Sequence, residues 1–186
     1  MRRVLAAVLA IATMASATAF AQAPQPDAPT PARAPGLQRL IAPPAACPNQ
    51  GSAARLLERQ MLCLTNFARA AEGRPPLLAN AGLRMAAGHK DGDILSCDEF
   101  SHEACGRDFA HWVERFTDCH AIGENIAWGT GPLGGVRPIF RSWMHSSGHR
   151  ENILGPYSRI GIAVRSGRLE GNAGARVWTQ DFGASC

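Results

Sequence analysis

The chain has 186 residues, with 19 Lys and Arg against 15 Asp and Glu and a formal charge of +4. Two of the arginines, Arg2 and Arg3, fall in a predicted targeting segment, so the mature charge is +2, which is 17 basic minus 15 acidic residues. So small an excess of positive charge gives no support to nucleic-acid binding, and the length suits one domain with short extensions.

Residues 1–23 have the features of a secretory signal peptide. Arg2 and Arg3 precede an apolar run over residues 4–15, in which Thr13 is the only polar side chain. Small residues at 19, 21 and 23 fit the cleavage rule. Because a membrane span needs about 20 apolar residues, we expect cleavage rather than a retained anchor. The protein is therefore expected to be secreted or periplasmic, with no integral membrane span after cleavage.

Residues 24–46 form a proline- and alanine-rich segment. Proline fixes φ and removes a backbone donor, so this segment is predicted to be an extended, semi-rigid linker. Leu37, Leu40 and Ile41 could instead dock on the domain. The domain itself is predicted to run from residue 47 to residue 186, with no internal repeat.

All six cysteines of the chain lie in the predicted domain. An even number in an exported chain points to disulfides, and the Cys-x-x-Cys pairs of many zinc sites are missing. The sequence leaves the connectivity open. We expect Cys97 to pair with Cys105 and so close the short segment between them. We also expect Cys47 to pair with Cys63, and Cys119 to pair with Cys186.

Apolar residues at helical spacing predict four helices. The first is expected over Ser52–Glu72, and the second starts after a cap at Asn80. The fourth begins near Pro138 and is expected to end at Gly148. The third carries a stripe that we expect in the core: Phe109, Trp112, Val113 and Phe116.

Three extended segments predict a sheet: Ile122–Trp128, Ile160–Val164 and Val177–Phe182. A glycine-rich turn is expected over residues 166–174, and a mobile loop over residues 129–135. Sequential antiparallel pairing is the natural arrangement of these strands.

Several motifs then occur in a fixed order: Asn-Phe-Ala-Arg at 66–69, Phe-Ser-His at 100–102, Gly-Glu-Asn-Ile-Ala-Trp-Gly at 123–129, Trp-Met-His-Ser-Ser-Gly-His-Arg-Glu-Asn-Ile-Leu at 143–154, and Trp-Thr-Gln-Asp-Phe-Gly at 178–183. In these motifs the chain resembles the bacterial branch of the CAP superfamily, which includes cysteine-rich secretory proteins, antigen 5 and plant pathogenesis-related proteins. The resemblance covers residues 56–183. It implies an α+β fold, an α-β-α sandwich with a small, mainly antiparallel sheet between helical layers.

The resemblance also implies a cleft that holds two histidines and two acidic residues. His102, Glu124 and His149 match three of these positions. The fourth is Ser146 here, so the set is incomplete, and only His145 or Glu151 could compensate. Asn125 and Ser146 are expected to line the cleft as well, whereas His89, His111 and His120 are expected to have no role in it.

Three functions remain open from the sequence. The first is a monomeric binding module in which His102 and His149 hold Zn²⁺ or another divalent cation, with a lipid, cell-wall glycan or protein as ligand. The second is a metal-dependent hydrolase or peptidase with Glu124 as the candidate general base, although no catalytic residue is firm. The third is a purely structural role for the His/Glu residues. The metalloprotease motif His-Glu-x-x-His is missing, and the mature domain lacks a Gly-x-Ser-x-Gly elbow.

Overall fold

The structure is a computed structural model that describes residues 36–186. The predicted signal peptide and the part of the predicted linker before residue 36 lie outside the described residues. None of the helices in residues 36–186 combines the length and hydrophobicity that crossing a bilayer requires.

Five α-helices and four β-strands make up the described chain. The helices are α1 (Ala54–Ala71), α2 (Ala81–Ser96), α3 (His111–Phe116), α4 (Val136–His145) and α5 (Ser147–Leu154). The strands are β1 (Leu78–Ala79), β2 (Ala121–Thr130), β3 (Arg159–Leu169) and β4 (Asn172–Ala184). Short 3-10 turns occupy Gln38–Leu40, Ala104–Gly106 and Gly131–Gly134.

The four strands form one sheet in the order β1-β3-β4-β2. β4 pairs antiparallel with both β2 and β3, and only the two-residue β1 runs parallel to its neighbour. The predicted mainly antiparallel sheet is therefore confirmed, but the expected sequential pairing is wrong, because β2 pairs with β4 and not with β3. β2 is an edge strand of this sheet.

Helices cover both faces of the sheet. On one face, Trp178 and Phe182 of β4 pack in the main core with side chains of α1 and α4, such as Leu64 and Phe140. On the other face, Val177 packs in a smaller cluster with residues of α2. The predicted α-β-α sandwich is confirmed.

The β3–β4 hairpin is longer than predicted. Most of residues 166–174 belong to the strands, and the turn itself is only Glu170 and Gly171, both at positive φ. Two adjacent residues at positive φ are typical of the tight turns that match the strand twist, so the hairpin needs no longer loop.

The end of α4 also differs from the prediction. α4 ends at His145, because Ser146 is extended at φ −93° and ψ 127°, and Gly148 lies inside the next helix, α5. Farther upstream, Phe109 precedes α3 and is 37% exposed, so it is not the core residue that its spacing predicts. Val113 is buried as expected.

The three disulfides are those expected from the sequence: Cys47–Cys63, Cys97–Cys105 and Cys119–Cys186. No free cysteine remains in the described chain. The last bridge joins the segment before β2 to the segment after β4, and so closes the end of the ladder at which Ala121 pairs with Ala184.

Two segments outside the predicted core are packed rather than loose. Leu40 and Ala42 are 4% and 2% exposed, and Arg137 of α4 donates to the carbonyls of Ala42 and Cys47, each at 2.7 Å. The part of the predicted linker after residue 36 therefore contacts the domain. The predicted mobile loop over residues 129–135 contains a 3-10 turn, where Gly134 accepts from the Trp178 indole at 3.0 Å.

Gly161 of β3 is expected to tolerate no side chain. A Cβ atom there would lie 2.0 Å from the Leu83 carbonyl carbon, in the first turn of α2. Since backbone must move to relieve this clash, Gly161→Ala should lower the free energy of unfolding by about 3 kcal/mol. Gly148→Ala is the control, since a Cβ in α5 meets nothing within 4 Å and should be neutral or stabilise by up to about 1 kcal/mol. Equal urea midpoints for the two variants would contradict the packing described here.

Candidate functional site

The candidate site lies beside the edge strand β2 and is built from three separate parts of the chain. Glu124 sits in β2 itself, His102 lies in the connection between α2 and α3, and His149 lies in α5. β2 runs antiparallel to β4, so Glu124 is directly opposite Asp181 in the sheet. Three residues that are distant in sequence are thus carried by elements that pack at one edge of the sheet.

His102 is held by two contacts. Its Nδ1 lies 2.8 Å from Glu124 Oε1, and its backbone carbonyl accepts from the ammonium of Lys90. When the carboxylate accepts this hydrogen bond, Nδ1 carries the proton, and in the neutral ring Nε2 keeps the lone pair. The His102 side chain is 49% exposed, whereas that of Glu124 is only 3% exposed. The imidazole is therefore anchored from the inside and open to solvent on its other side.

Lys90 is the buried cation of the site. It lies in α2, its side chain is 1% exposed, and its Nζ is 3.8 Å from Glu124 Oε1. Burying a carboxylate is costly without an opposite charge, and Lys90 supplies that charge to Glu124. The Cys97–Cys105 bridge constrains the connection that carries His102, so the loop and the helix hold the imidazole together.

Two further carboxyls are buried behind this ion pair. Burial raises the pKa of Asp181 well above its usual value, and the neighbouring charge of Glu124 raises it further. Burial likewise raises the pKa of Asp91, although the Thr179 hydroxyl donates to it at 2.7 Å. One oxygen of each carboxyl has no hydrogen-bond partner in the described chain. The raised pKa favours the protonated form of both carboxyls, so their contribution to stability is full at acid pH, below the pKa of the unfolded chain, and is lost as the pH rises through the raised pKa of the folded protein.

His149 completes the site from the side of α5. It is half-buried, and burial lowers its pKa, with the nearby His102 adding to the effect. Its Nδ1 is buried and has no hydrogen-bond partner in the described chain. A lowered pKa favours the neutral imidazole, which is the form that binds metal ions.

Hydrogen bonds of asparagine side chains fix the position of α5. Asn125 donates to the carbonyl of His149 at 3.1 Å and to the Gln180 side chain at 3.2 Å. Asn152 donates to the Asn125 amide oxygen at 2.9 Å and to the Glu124 carbonyl at 3.1 Å. The Gln180 side-chain amide in turn donates to the Thr65 hydroxyl of α1 at 3.0 Å, which extends the hydrogen-bond network to that helix. These bonds lock α5, and with it His149, against β2.

The outer edge of β2 is covered by side chains. The carbonyls of Ile122, Glu124 and Ile126 face away from β4 and would be open to another strand. They accept instead from Tyr157 Oη at 3.3 Å, Asn152 Nδ2 at 3.1 Å and Trp143 Nε1 at 3.1 Å. An edge strand whose carbonyls are satisfied offers less to a peptide that would extend the sheet.

The structure places His102, Glu124 and His149 at one edge of the sheet. Asn125 differs from its prediction, because it is fully buried and its amide serves the α5 contacts rather than the cleft. Ser146 is half-buried and precedes α5 without a side-chain capping bond. His145 and Glu151 are exposed, and neither makes a hydrogen bond or ion pair within residues 36–186 that would replace the missing acid.

Lys90 and Asp181 were not predicted from the sequence, although signals for both exist. Lys90 is the only lysine of the chain, and it falls on the helical stripe that carries Ala86, Ala87 and Ile94. Asp181 occurs in a strand that is buried on both faces, which is an unusual place for an acid. The chain's other basic residues are all arginines.

Within the described residues, no group of three or more His, Cys, Asp or Glu side chains is placed to hold a metal ion. The two histidines alone could therefore supply protein ligands here, since Glu124 is engaged by His102 and Lys90.

Comparisons with known proteins agree with this architecture. The chain is 32% identical over 129 residues to an uncharacterized protein, YkwD, of Bacillus subtilis. An extracellular protein of Bacillus anthracis that contains an SCP domain superposes with a TM-score of 0.61 at 24% identity, over 71% of this chain. The domain has the SCP, or CAP, fold. No model of a known protein family matches the chain.

Two other solved structures superpose on the domain. A cysteine-rich secretory protein from Staphylococcus aureus superposes with a TM-score of 0.55 at 18% identity, over 72% of this chain and 40% of its own. An outer surface protein of Borrelia burgdorferi gives 0.59 at 14% identity, over 68% of this chain and 90% of its own. The chain spans 46% of the length of the Bacillus subtilis relative and 41% of the Bacillus anthracis protein.

Proposed function

We propose that this CAP-domain protein is an exported binding module whose cleft holds a divalent cation, Zn²⁺ in the first place, between His102 and His149. The observation that carries the proposal is the 2.8 Å contact of His102 Nδ1 with the buried Glu124 carboxylate. A carboxylate behind the far nitrogen of a metal-binding histidine fixes its tautomer and raises its basicity. The Nε2 lone pair of His102 then points away from the protein interior.

The state of His149 supports the same proposal. Its lowered pKa keeps the ring neutral near pH 7, so that no proton competes strongly with a cation. Two imidazoles leave coordination positions for water or for a ligand, as in open zinc sites. The cation would thus act as a bridge between the domain and what it binds.

The burial of Glu124 favours binding over hydrolysis. A general base must reach the water that it deprotonates, at about 3 Å. Glu124 is 3% exposed at its side chain and is already shared between Lys90 and His102. A role as orienting partner of His102 therefore suits this carboxylate better than proton abstraction from substrate water.

Export and an envelope ligand belong to the same proposal. The structural neighbours are described as extracellular, secretory or outer-surface proteins. Three disulfides are consistent with an oxidising compartment. We propose that the ligand is cell-envelope material: a lipid, a cell-wall glycan or a protein.

Zn²⁺ titration by calorimetry tests the proposed metal site. The wild-type domain should bind one ion, and His102→Ala and His149→Ala should each weaken binding at least about tenfold, which is about 1.4 kcal/mol. Glu124→Gln should weaken it by about 10- to 100-fold, because the orienting partner is lost. His120→Ala is the control and should bind as the wild type does. Unchanged affinity and stoichiometry in both cleft variants would refute the site.

A further inference from the structure

A cavity of about 300 Å³ lies at the opposite edge of the sheet from β2. It is bounded by the N-terminal half of α1, the start of α2 and strand β3. Leu62, Ile160 and Ile162 give it an apolar floor. Because β4 lies between β2 and the lining strand β3, this cavity is separate from the site of His102 and His149.

The rim of the cavity is positively charged. Arg55, Arg59 and Arg84 line it together with a single acid, Glu58. Arg55 is 3.6 Å from Glu58, whereas no carboxylate of residues 36–186 lies within ion-pair distance of Arg59 or Arg84. Three guanidinium groups and one carboxylate leave an excess of two positive charges over an apolar floor.

Glu58 itself is turned into the protein rather than toward solvent. Its side chain is 12% exposed, and burial raises its pKa, against the opposing charges of Arg55 and Arg84. Glu58 is therefore buried in the wall of the cavity, and Arg59 and Arg84, which have no ion pair in residues 36–186, are left to contact a ligand.

We propose that this cavity binds a small amphipathic organic anion, with a compact apolar body on the isoleucine floor and a carboxylate on Arg59 and Arg84. Guanidinium groups bind carboxylates through paired N–H donors, which gives both affinity and orientation. A volume of about 300 Å³ lies at the lower end of the range for ligand pockets, so a compact body fits better than a long chain. The site does not depend on the metal proposal.

Matched acids and amides test the proposal by NMR titration of the ¹⁵N-labelled protein. The probes are 3-phenylpropionate and hexanoate, each beside its primary amide, which keeps the apolar body and removes the charge. The acids should shift amide signals of α1, β1 and β3 at this edge, with a Kd of about 1 mM or tighter. The amides should bind at least about fivefold more weakly. Acids and amides of equal affinity, or shifts confined to the cleft, would overturn the proposal.

Arginine variants test which positive charges bind the carboxylate of the probe acids. Arg59→Gln and Arg84→Gln should each weaken the acids about three- to tenfold and leave the amides unchanged. Arg141→Gln is the matched control, because this exposed arginine lies on α4, away from the cavity lining. A fall in acid affinity in the control equal to that in Arg84→Gln would show a general charge effect and overturn the site.

Discussion

Replacing Arg69 with methionine is expected to lower the free energy of unfolding by about 5 kcal/mol, enough to unfold much of the population of a marginally stable domain. Arg69 lies in α1 and is 1% exposed. Its guanidinium donates to four backbone carbonyls in three parts of the chain: Pro75 at 2.8 Å, Ile153 at 2.9 Å, Gly155 at 2.8 Å and Tyr157 at 3.2 Å.

The physical reason is that the partners of the buried Arg69 guanidinium are backbone carbonyl groups rather than a carboxylate. It has no ion pair in the described chain, and burial, with the charge of Arg74, lowers its pKa. Two of its acceptors lie at the C-terminal end of α5, where the helix dipole favours a positive charge. Methionine would leave all four carbonyls buried without donors, at about 1–3 kcal/mol each before relaxation.

Urea unfolding of Arg69→Met, Arg69→Lys and Arg141→Met separates charge from geometry. Lysine keeps the charge but not the planar fork, so Arg69→Lys should lose about half as much stability as Arg69→Met. Arg141→Met, at an exposed position of α4, should stay within about 0.5 kcal/mol of the wild type. If Arg69→Met is no less stable than this control, the guanidinium does not hold α1, α5 and the start of β3 together.

Replacing Lys90 with methionine is expected to cost about 4 kcal/mol. The change keeps most of the side-chain volume but leaves Glu124 buried without its cation, next to Asp181. Removing one partner of a buried ion pair costs about 3–5 kcal/mol for this reason. The carbonyl of His102 also loses its donor, so the loop should loosen together with the site.

The double variant Lys90→Met/Glu124→Gln tests whether charge balance is the cause. Removing both charges should recover at least about 2 kcal/mol relative to Lys90→Met alone, because no unpaired charge remains buried. If the double variant loses as much stability as the two single variants together, the two charges are not coupled. Since Lys90 is the only lysine, its side-chain NMR signal reports directly on the site in the wild type and in Glu124→Gln.

Much of the fold could be predicted because the ordered motifs coincide with the contacts that build it. The Asn-Phe-Ala-Arg motif supplies Arg69, and the two asparagines of the later motifs join β2 to α5. The sequence predicts His102, Glu124 and His149 as site residues but not the buried groups next to Glu124. Lys90 is not among the predicted site residues, because its place on the apolar stripe of α2 does not by itself show which opposite charge it meets. The outcome for Asn125 has the same origin, because a motif position does not say which face of a strand is buried.

The sequence by itself determined the α+β class and singled out His102, Glu124 and His149 as candidates, because these depend on residue types and on their order along the chain, whereas the structure settled the pairing of the cysteines. Only the tertiary structure decided that Lys90 and Asp181 stand behind Glu124, and that a cationic cavity lies at the far edge of the sheet. Those facts depend on strand register and helix packing, which bring together groups from distant parts of the chain. Burial and charge pairing arise only when those parts meet.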